Sequence, residues 1–291
     1  MIVNAKTLPT NIALFFCTLT LAVLGAVFLA QGAPAQCSDD TITIKPEDTK
    51  ESPIRFFLDS RRSIESLVSI DLADMTNLKP SQRLPYTFVV DNLYKQREVL
   101  RLVQTDPNIS WHFGPYSFRF VMGIPSSLRT VDYVYALPYT GIEAHIGQSY
   151  MGKFSHKAGS EEQYAVDFDM PEGTPIRAAR PGKVIAYRDD SSSGGNSADF
   201  ARCCNYIHIK HDDGTYAAYV HLRHQGVCVK LGQVVDRGTV IGYSGSTGWA
   251  SCPHLHFMVY RVLNPPKMET VPFRMQTSEG ILDQLSEGHE Y

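Results

Sequence analysis

The chain has no surplus of charge of either sign. Its 27 Lys and Arg stand against 30 Asp and Glu, a formal net charge of −3, which leaves no electrostatic footprint for nucleic acid. It also lacks any Cys-x-x-Cys spacing. The six cysteines are Cys17, Cys37, Cys203, Cys204, Cys228 and Cys252, so a zinc site built from thiolates has no support in their spacing. From about residue 140 onward no stretch carries a convincing helical period, apart from a tail over 277–287 that can form a short helix with Ser278 as its N-cap. What is present instead is 15 Tyr, 14 Phe, 17 Pro and 21 Gly, a composition that leans toward β structure with many turns. The length of 291 residues suits one or two domains.

The N-terminus reads as an address. Lys6 is the only charge before an apolar run from Ile12 to Ala30, and Gly32–Ala33–Pro34–Ala35 then supplies small residues at the positions of a cleavage site. The run is close to membrane-spanning length, so residues 1–36 are either a cleaved signal peptide or a retained N-terminal anchor. Membrane attachment through this segment is the second of those alternatives. Both place the remainder outside the cytoplasm, in the periplasm or cell envelope, or secreted. An oxidising compartment permits disulfides. Cys252 lies two residues before His254, and a bridge from it to Cys203 or Cys204 would pin the loop entering that strand.

Residues 38–52 are polar and charged and read as disordered. Short apolar runs follow between turn residues, including Ile54–Phe57, Leu67–Leu72, Tyr86–Val90, Val99–Val103, Ser117–Met122 and Val131–Leu137. Their spacing predicts a small β-sandwich over about 37–140, and no metal-ligand spacing appears there. His112 and His145 are isolated and read as structural or surface residues. Beyond Gly141 the turn signals are dense. Asp213–Gly214 between Tyr206–Lys210 and Thr215–Leu222 is the strongest hairpin signal in the chain.

Three features carry chemistry. In Pro253–His254–Leu255–His256–Phe257, followed by Met258–Val259–Tyr260, the apolar and aromatic residues indicate a strand. Residues two apart on a strand share a face, so His254 and His256 aim into one space, and such a pair suits zinc. Alone, the motif is weak. Upstream, Asp167 and Asp169 share a face of the strand around Val166–Phe168. A carboxylate in so apolar a strand needs a partner, which can be a metal or Arg177 or Arg180. Third, Tyr219–Val220–His221–Leu222 closes the second hairpin strand. His208, His211, His224 and His289 have bland structural or surface readings.

Together these segments resemble the lysostaphin-type (LytM-like) zinc metallopeptidases that cut peptide bonds in peptidoglycan. The resemblance covers about residues 145–262. It rests on Asp167 with Pro171 and Gly173–Thr174–Pro175, on Ala178–Ala179–Arg180–Pro181–Gly182–Lys183–Val184, on Tyr219–Val220–His221–Leu222, on Val240 to Gly248, and on Pro253 to Phe257, in the family's order. The chain is thus expected to be all-β, with a β-sandwich-like accessory domain (37–140), a LytM-like antiparallel β-sheet peptidase domain with an open groove (141–265) that the resemblance implies, and a C-terminal extension (266–291). The resemblance implies one Zn2+ per chain, held by Asp167 and His256, with His221 and His254 as catalytic residues that orient or deprotonate a zinc-activated water. The family's first ligand is usually a His four residues before the Asp, where this chain has Gln163. The nearest upstream His is His156, in a Ser-His pair that resembles a branch of the family with a short insertion, and His156 is therefore expected as the third ligand.

The expected function is that of an exported metalloendopeptidase acting on peptidoglycan cross-links or stem peptides, with wall peptides and no nucleic acid as partners. The chain has no His-Glu-x-x-His helix, which removes the usual glutamate base and leaves that role to His221 or His254. Two alternatives stand beside this. One is a non-catalytic LytM-like module that binds wall peptides or regulates another hydrolase, suggested by Gln163. The other is a zinc peptidase acting on protein rather than wall.

Overall fold

The computed structural model describes residues 41–49, 51–62, 64–127 and 132–291. The expected export segment, with Cys17 inside it and Cys37 just beyond, lies outside the described residues. Among those described, no helix is long and apolar enough to cross a membrane.

The described chain is nearly all β, as its composition predicts. Its helical element is the short 3-10 turn Ala198–Cys203, capped by the Ser197 side chain on the Asp199 N–H. The N-terminal half forms two facing antiparallel sheets. One runs Ile42–Pro46, Ile54–Ser60, Arg97–Gln104, Leu78–Pro80, and the other runs Tyr86–Val90, Ser66–Leu72, Tyr116–Met122. Strict alternation drives the pairing. Ile54, Phe56 and Leu58 point inward with half-buried neighbours between them, as the period of two requires. Phe56 of the first sheet meets Tyr116 of the second edge to face, with ring centroids 5.3 Å apart.

The expectation of disorder over 38–52 is corrected. Residues 42–46 form a strand paired antiparallel with Ile54–Ser60. Only Ile42 and Ile44 are buried apolar anchors there, too short a signal to stand out among acidic and polar neighbours.

The C-terminal half is built on one large open antiparallel sheet, ordered His145–Gln148, Val166–Asp169, His254–Leu263, Tyr216–Val227, Asn205–Lys210, Gly182–Arg188, Val234–Val235. The expected hairpin is there. Lys210 pairs with Tyr216 around Gly214, whose φ of +79° suits a residue without Cβ. The tail differs from expectation. Arg274–Thr277 and Gly280–Leu282 are antiparallel strands, not a helix. The Thr277 hydroxyl accepts the Glu279 N–H and donates to the Gly280 carbonyl, so Thr277 closes a turn where a helix from Ser278 was expected.

The sheet has two unlike faces. Along its central strand Leu255, Phe257 and Val259 enter a core with Val166, Phe168, Ala217 and Tyr219. Met258, Tyr260 and Val262 point the other way and join Tyr216, Ala218 and Val220 in a core continuous with the N-terminal sandwich. The sandwich therefore packs on the same face to which His254 and His256 belong by alternation, further along the strands.

Candidate metal centre

The central strand pairs antiparallel with Val166–Asp169 in a register that sets Asp167 opposite His256 and Asp169 opposite His254. Val166 and Phe168 are committed to the core, so the carboxylates must emerge on the opposite face. Asp167 Oδ1 lies 2.9 Å from His256 Nδ1 and 3.3 Å from His156 Nε2, and those two ring nitrogens are 3.3 Å apart. All three side chains are buried.

His156 arrives from the irregular segment between the strands His145–Gln148 and Val166–Asp169. Its Nδ1 faces the Ser149 carbonyl at 3.3 Å, which turns Nε2 inward. Gln163 does not enter the site. Its Oε1 accepts the Gly159 N–H at 3.0 Å, so it shapes the loop that carries His156. The two arginines left open as partners for the acids are engaged elsewhere: Arg180 with Asp212 and Asp213, and Arg177 with Thr140 and the Gly238 carbonyl. Asp169 instead meets His145 Nδ1 at 3.0 Å, so His145 is not isolated.

His221 reaches the same space by a break in strand alternation. Asn205 pairs with Leu222 and Tyr206 with Val220, so His221 is the extra residue of a β-bulge. Its φ is +65°, a left-handed conformation uncommon for a residue with a Cβ. The bulge sends Leu222 into the core and His221 to the opposite face, with its ring centroid 4.6 Å from that of His254 and 6.0 Å from that of His256. The His221 Nδ1–H donates to the Thr247 carbonyl at 2.7 Å. The His254 Nδ1–H donates to the Cys252 carbonyl at 2.9 Å. In its neutral form each ring then carries its lone pair on Nε2, and His254 Nε2 is 4.0 Å from Asp167 Oδ1.

The electrostatics divide the histidines. For Asp167, burial alone pushes the carboxyl up, but the charge and hydrogen bond of His156 and the bond from His256 outweigh it and hold the group well below its ordinary value. His256 is pushed down by burial and raised more strongly by Asp167 and Glu162, so the net shift is upward. His221 goes well down, first by burial and then by the neighbouring His254 and His256, and is neutral at neutral pH.

A zinc ion fits this donor set. Four ligands held tetrahedrally at about 2.0–2.1 Å stand about 3.3 Å apart, and the three donor atoms are separated by 2.9, 3.3 and 3.3 Å. One carboxylate and two imidazoles leave a fourth corner, as in catalytic zinc sites. Sequence reasoning missed Gln148, whose Nε2 donates to Asp167 Oδ2 at 2.7 Å and to Ser155 at 3.1 Å. It also missed the Thr247 carbonyl and Glu162. A single Gln at a strand end gives no spacing signal.

The expected disulfide is corrected. Cys204, Cys228 and Cys252 are thiols, so no bridge links Cys252 to Cys203 or Cys204. Exposed Cys252 faces Asp169 Oδ1 at 4.0 Å, whereas Cys204 is buried against Gly248.

Comparison with known proteins finds that the model described as Peptidase family M23 matches residues 161–268. The chain is 36% identical over 120 residues to lysostaphin of Staphylococcus simulans, covering 40% of this chain and 22% of lysostaphin. It is 36% identical over 120 residues to glycyl-glycine endopeptidase ALE-1 of Staphylococcus capitis, covering 40% and 30%. It is 38% identical over 91 residues to peptidoglycan DD-endopeptidase ShyA of Vibrio cholerae, covering 31% and 18%. The match thus spans less than a third of each relative's own length.

Proposed function

We propose, from the match of residues 161–268 to Peptidase family M23, that the chain is an exported zinc-dependent endopeptidase hydrolysing peptide bonds in peptidoglycan. The observation that carries this is the triangle of His156 Nε2, Asp167 Oδ1 and His256 Nδ1, with sides of 2.9–3.3 Å. These three side chains would hold one zinc. When bound, zinc supplies Lewis acidity and brings the pKa of a water to roughly 7.

The chain's own residues supply the rest. His221 and His254 present Nε2 lone pairs toward the site because their Nδ1–H groups are tied to backbone carbonyls. Burial keeps His221 neutral, so its Nε2 can accept a proton from an attacking water. The resulting imidazolium N–H then donates to the oxyanion that develops on the scissile carbonyl. His254, beside it, can donate to the same oxygen or to the leaving nitrogen. Gln148 and Ser149 fix Asp167 and His156 in orientation, as outer partners do for metal ligands.

The choice of peptidoglycan rests on the relatives, among them a glycyl-glycine endopeptidase and a peptidoglycan DD-endopeptidase. The regulatory-module alternative rested on Gln163, and the arrival of His156 at the acid removes its motive. The deciding experiment measures metal content and new amine termini in digested peptidoglycan for wild type and His156→Ala. Wild type is expected to bind about one zinc per chain and release new termini. The variant should lose both, its zinc affinity falling by more than the ~100-fold upper range of an outer-partner loss. A folded, zinc-free, inert wild type defeats the proposal.

A further inference from the structure

Glu162 is buried, at 1% exposure, six residues after His156 and five before Asp167. One of its carboxylate oxygens, a ring nitrogen of His156 and a ring nitrogen of His256 all lie within 4.8 Å of one another. His256 Nδ1 is committed to the donor triangle. Its other nitrogen, Nε2, is buried and has no hydrogen-bond partner among the described residues. An imidazole that binds a metal through one nitrogen carries its proton on the other, and an N–H left unmet in a buried site is costly. Metal-bound histidines nearly always give that proton to a carboxylate, carbonyl or water. Glu162 is the buried carboxylate at hand, one of its oxygens lying within 4.8 Å of the His256 ring, a reach that a bridging water can complete.

We propose that Glu162 is a positioning residue for His256: its carboxylate receives the His256 Nε2–H, which fixes the ring's tautomer and leaves Nδ1 as the lone pair offered to the metal. The inference rests on the zinc reading above and adds to it a residue that does not touch the substrate. Glu162 reaches the site from the turn just before the Val166–Asp169 strand, where its backbone carbonyl accepts the Ala165 N–H at 2.8 Å. The same turn leads directly into the strand that carries Asp167.

The test compares wild type with Glu162→Ala, which removes the acceptor, and Glu162→Gln, which keeps an acceptor oxygen and removes the charge. Zinc affinity is measured by competition with a chelating dye. The His256 ring is followed by NMR in protein carrying 15N-histidine, with and without metal. The Ala variant is expected to bind zinc about 10–100-fold more weakly and to lose the slowly exchanging His256 Nε2–H, with Gln intermediate on both measures. Unchanged zinc affinity in Glu162→Ala overturns the proposal. So does weakened affinity with an unaltered His256 Nε2–H, which would make Glu162 mere loop scaffolding. An oxygen neighbour of zinc that vanishes in Glu162→Gln, read by X-ray absorption, makes Glu162 a ligand and overturns it too. Should Glu162→Ala not fold, Glu162→Gln carries the same readouts. Should wild type bind no zinc, the zinc reading fails by itself, and the His256 ring signals of the metal-free chains still decide the role of Glu162.

Discussion

At the scale of single residues, the histidines sort by what their second nitrogen touches. His156 and His256 aim a nitrogen at Asp167, and under the proposed function their loss is expected to remove metal. His221 and His254 bond backbone carbonyls through Nδ1, and under the same proposal their loss is expected to remove proton transfer. His221→Ala is therefore expected to keep zinc at wild-type stoichiometry while kcat falls about 10^2–10^4-fold. Metal analysis beside steady-state kinetics checks this, and a zinc-free variant contradicts it. Two further histidines report on pH. Burial holds His208 down at about 3. His211 is held down at about 4, again by burial, against the opposing effect of the hydrogen bond its ring donates to the Pro181 carbonyl. The unfolded chain titrates these rings near 6.5, so below that pH it takes up protons that the folded chain refuses. Their contribution to stability is whole above about pH 6.5 and is lost as pH falls toward about 4 and then about 3. Each costs about 2 kcal/mol between pH 6.5 and 5. Urea unfolding at pH 7.5 and pH 5 measures the loss, and His208→Gln should reduce it.

At the scale of elements, the strands that build the site were legible because their side chains alternate. His254 and His256 shared a face by period alone, and Asp167 joined them because Val166 and Phe168 needed the core. The turn at Asp213–Gly214 was legible from its residues. His221 was legible only as a resemblance. By alternation with Ala217 and Tyr219 it belongs in the core, and only the bulge between Val220 and Leu222 reverses it. Nothing in Tyr219–Val220–His221–Leu222 announces a left-handed residue. The tail was misread because Thr277, Ser278 and Glu279 suit a helix start and a tight turn equally well, and the outcome depends on pairing with Val134–Ala136, which lies far away in sequence. His156 and Glu162 come from a loop whose path no periodicity describes.

At the scale of the whole molecule, the sandwich and the peptidase sheet share one apolar core. Polar ties cross the same boundary. Glu65 accepts from Lys210 and from the Tyr216 hydroxyl, and the Tyr260 hydroxyl donates to the Met122 carbonyl at 3.2 Å. Gly123 makes the contact close. Its φ is +96°, and a Cβ there would stand 2.6 Å from the Tyr216 ring. The two halves should unfold in a single calorimetric transition. Gly123→Ala should lower its midpoint, because overpacking costs about 1–3 kcal/mol and the backbone strain adds to it. Two separate transitions in the wild type would show that the halves are independent.

The path of the segment between Gln148 and Val166 has one more consequence. It is a long irregular span fastened to the sheet near its middle by His156, and Lys153 and Lys157 stand exposed on either side of that fastening. An ion seated on His156 and His256 would act as a clasp, closing the span onto a strand a hundred residues away. Chelator treatment should open it, and trypsin should then cut after Lys153 and Lys157 faster than in zinc-loaded chain. Equal rates of cutting would mean that the span is held by its own backbone.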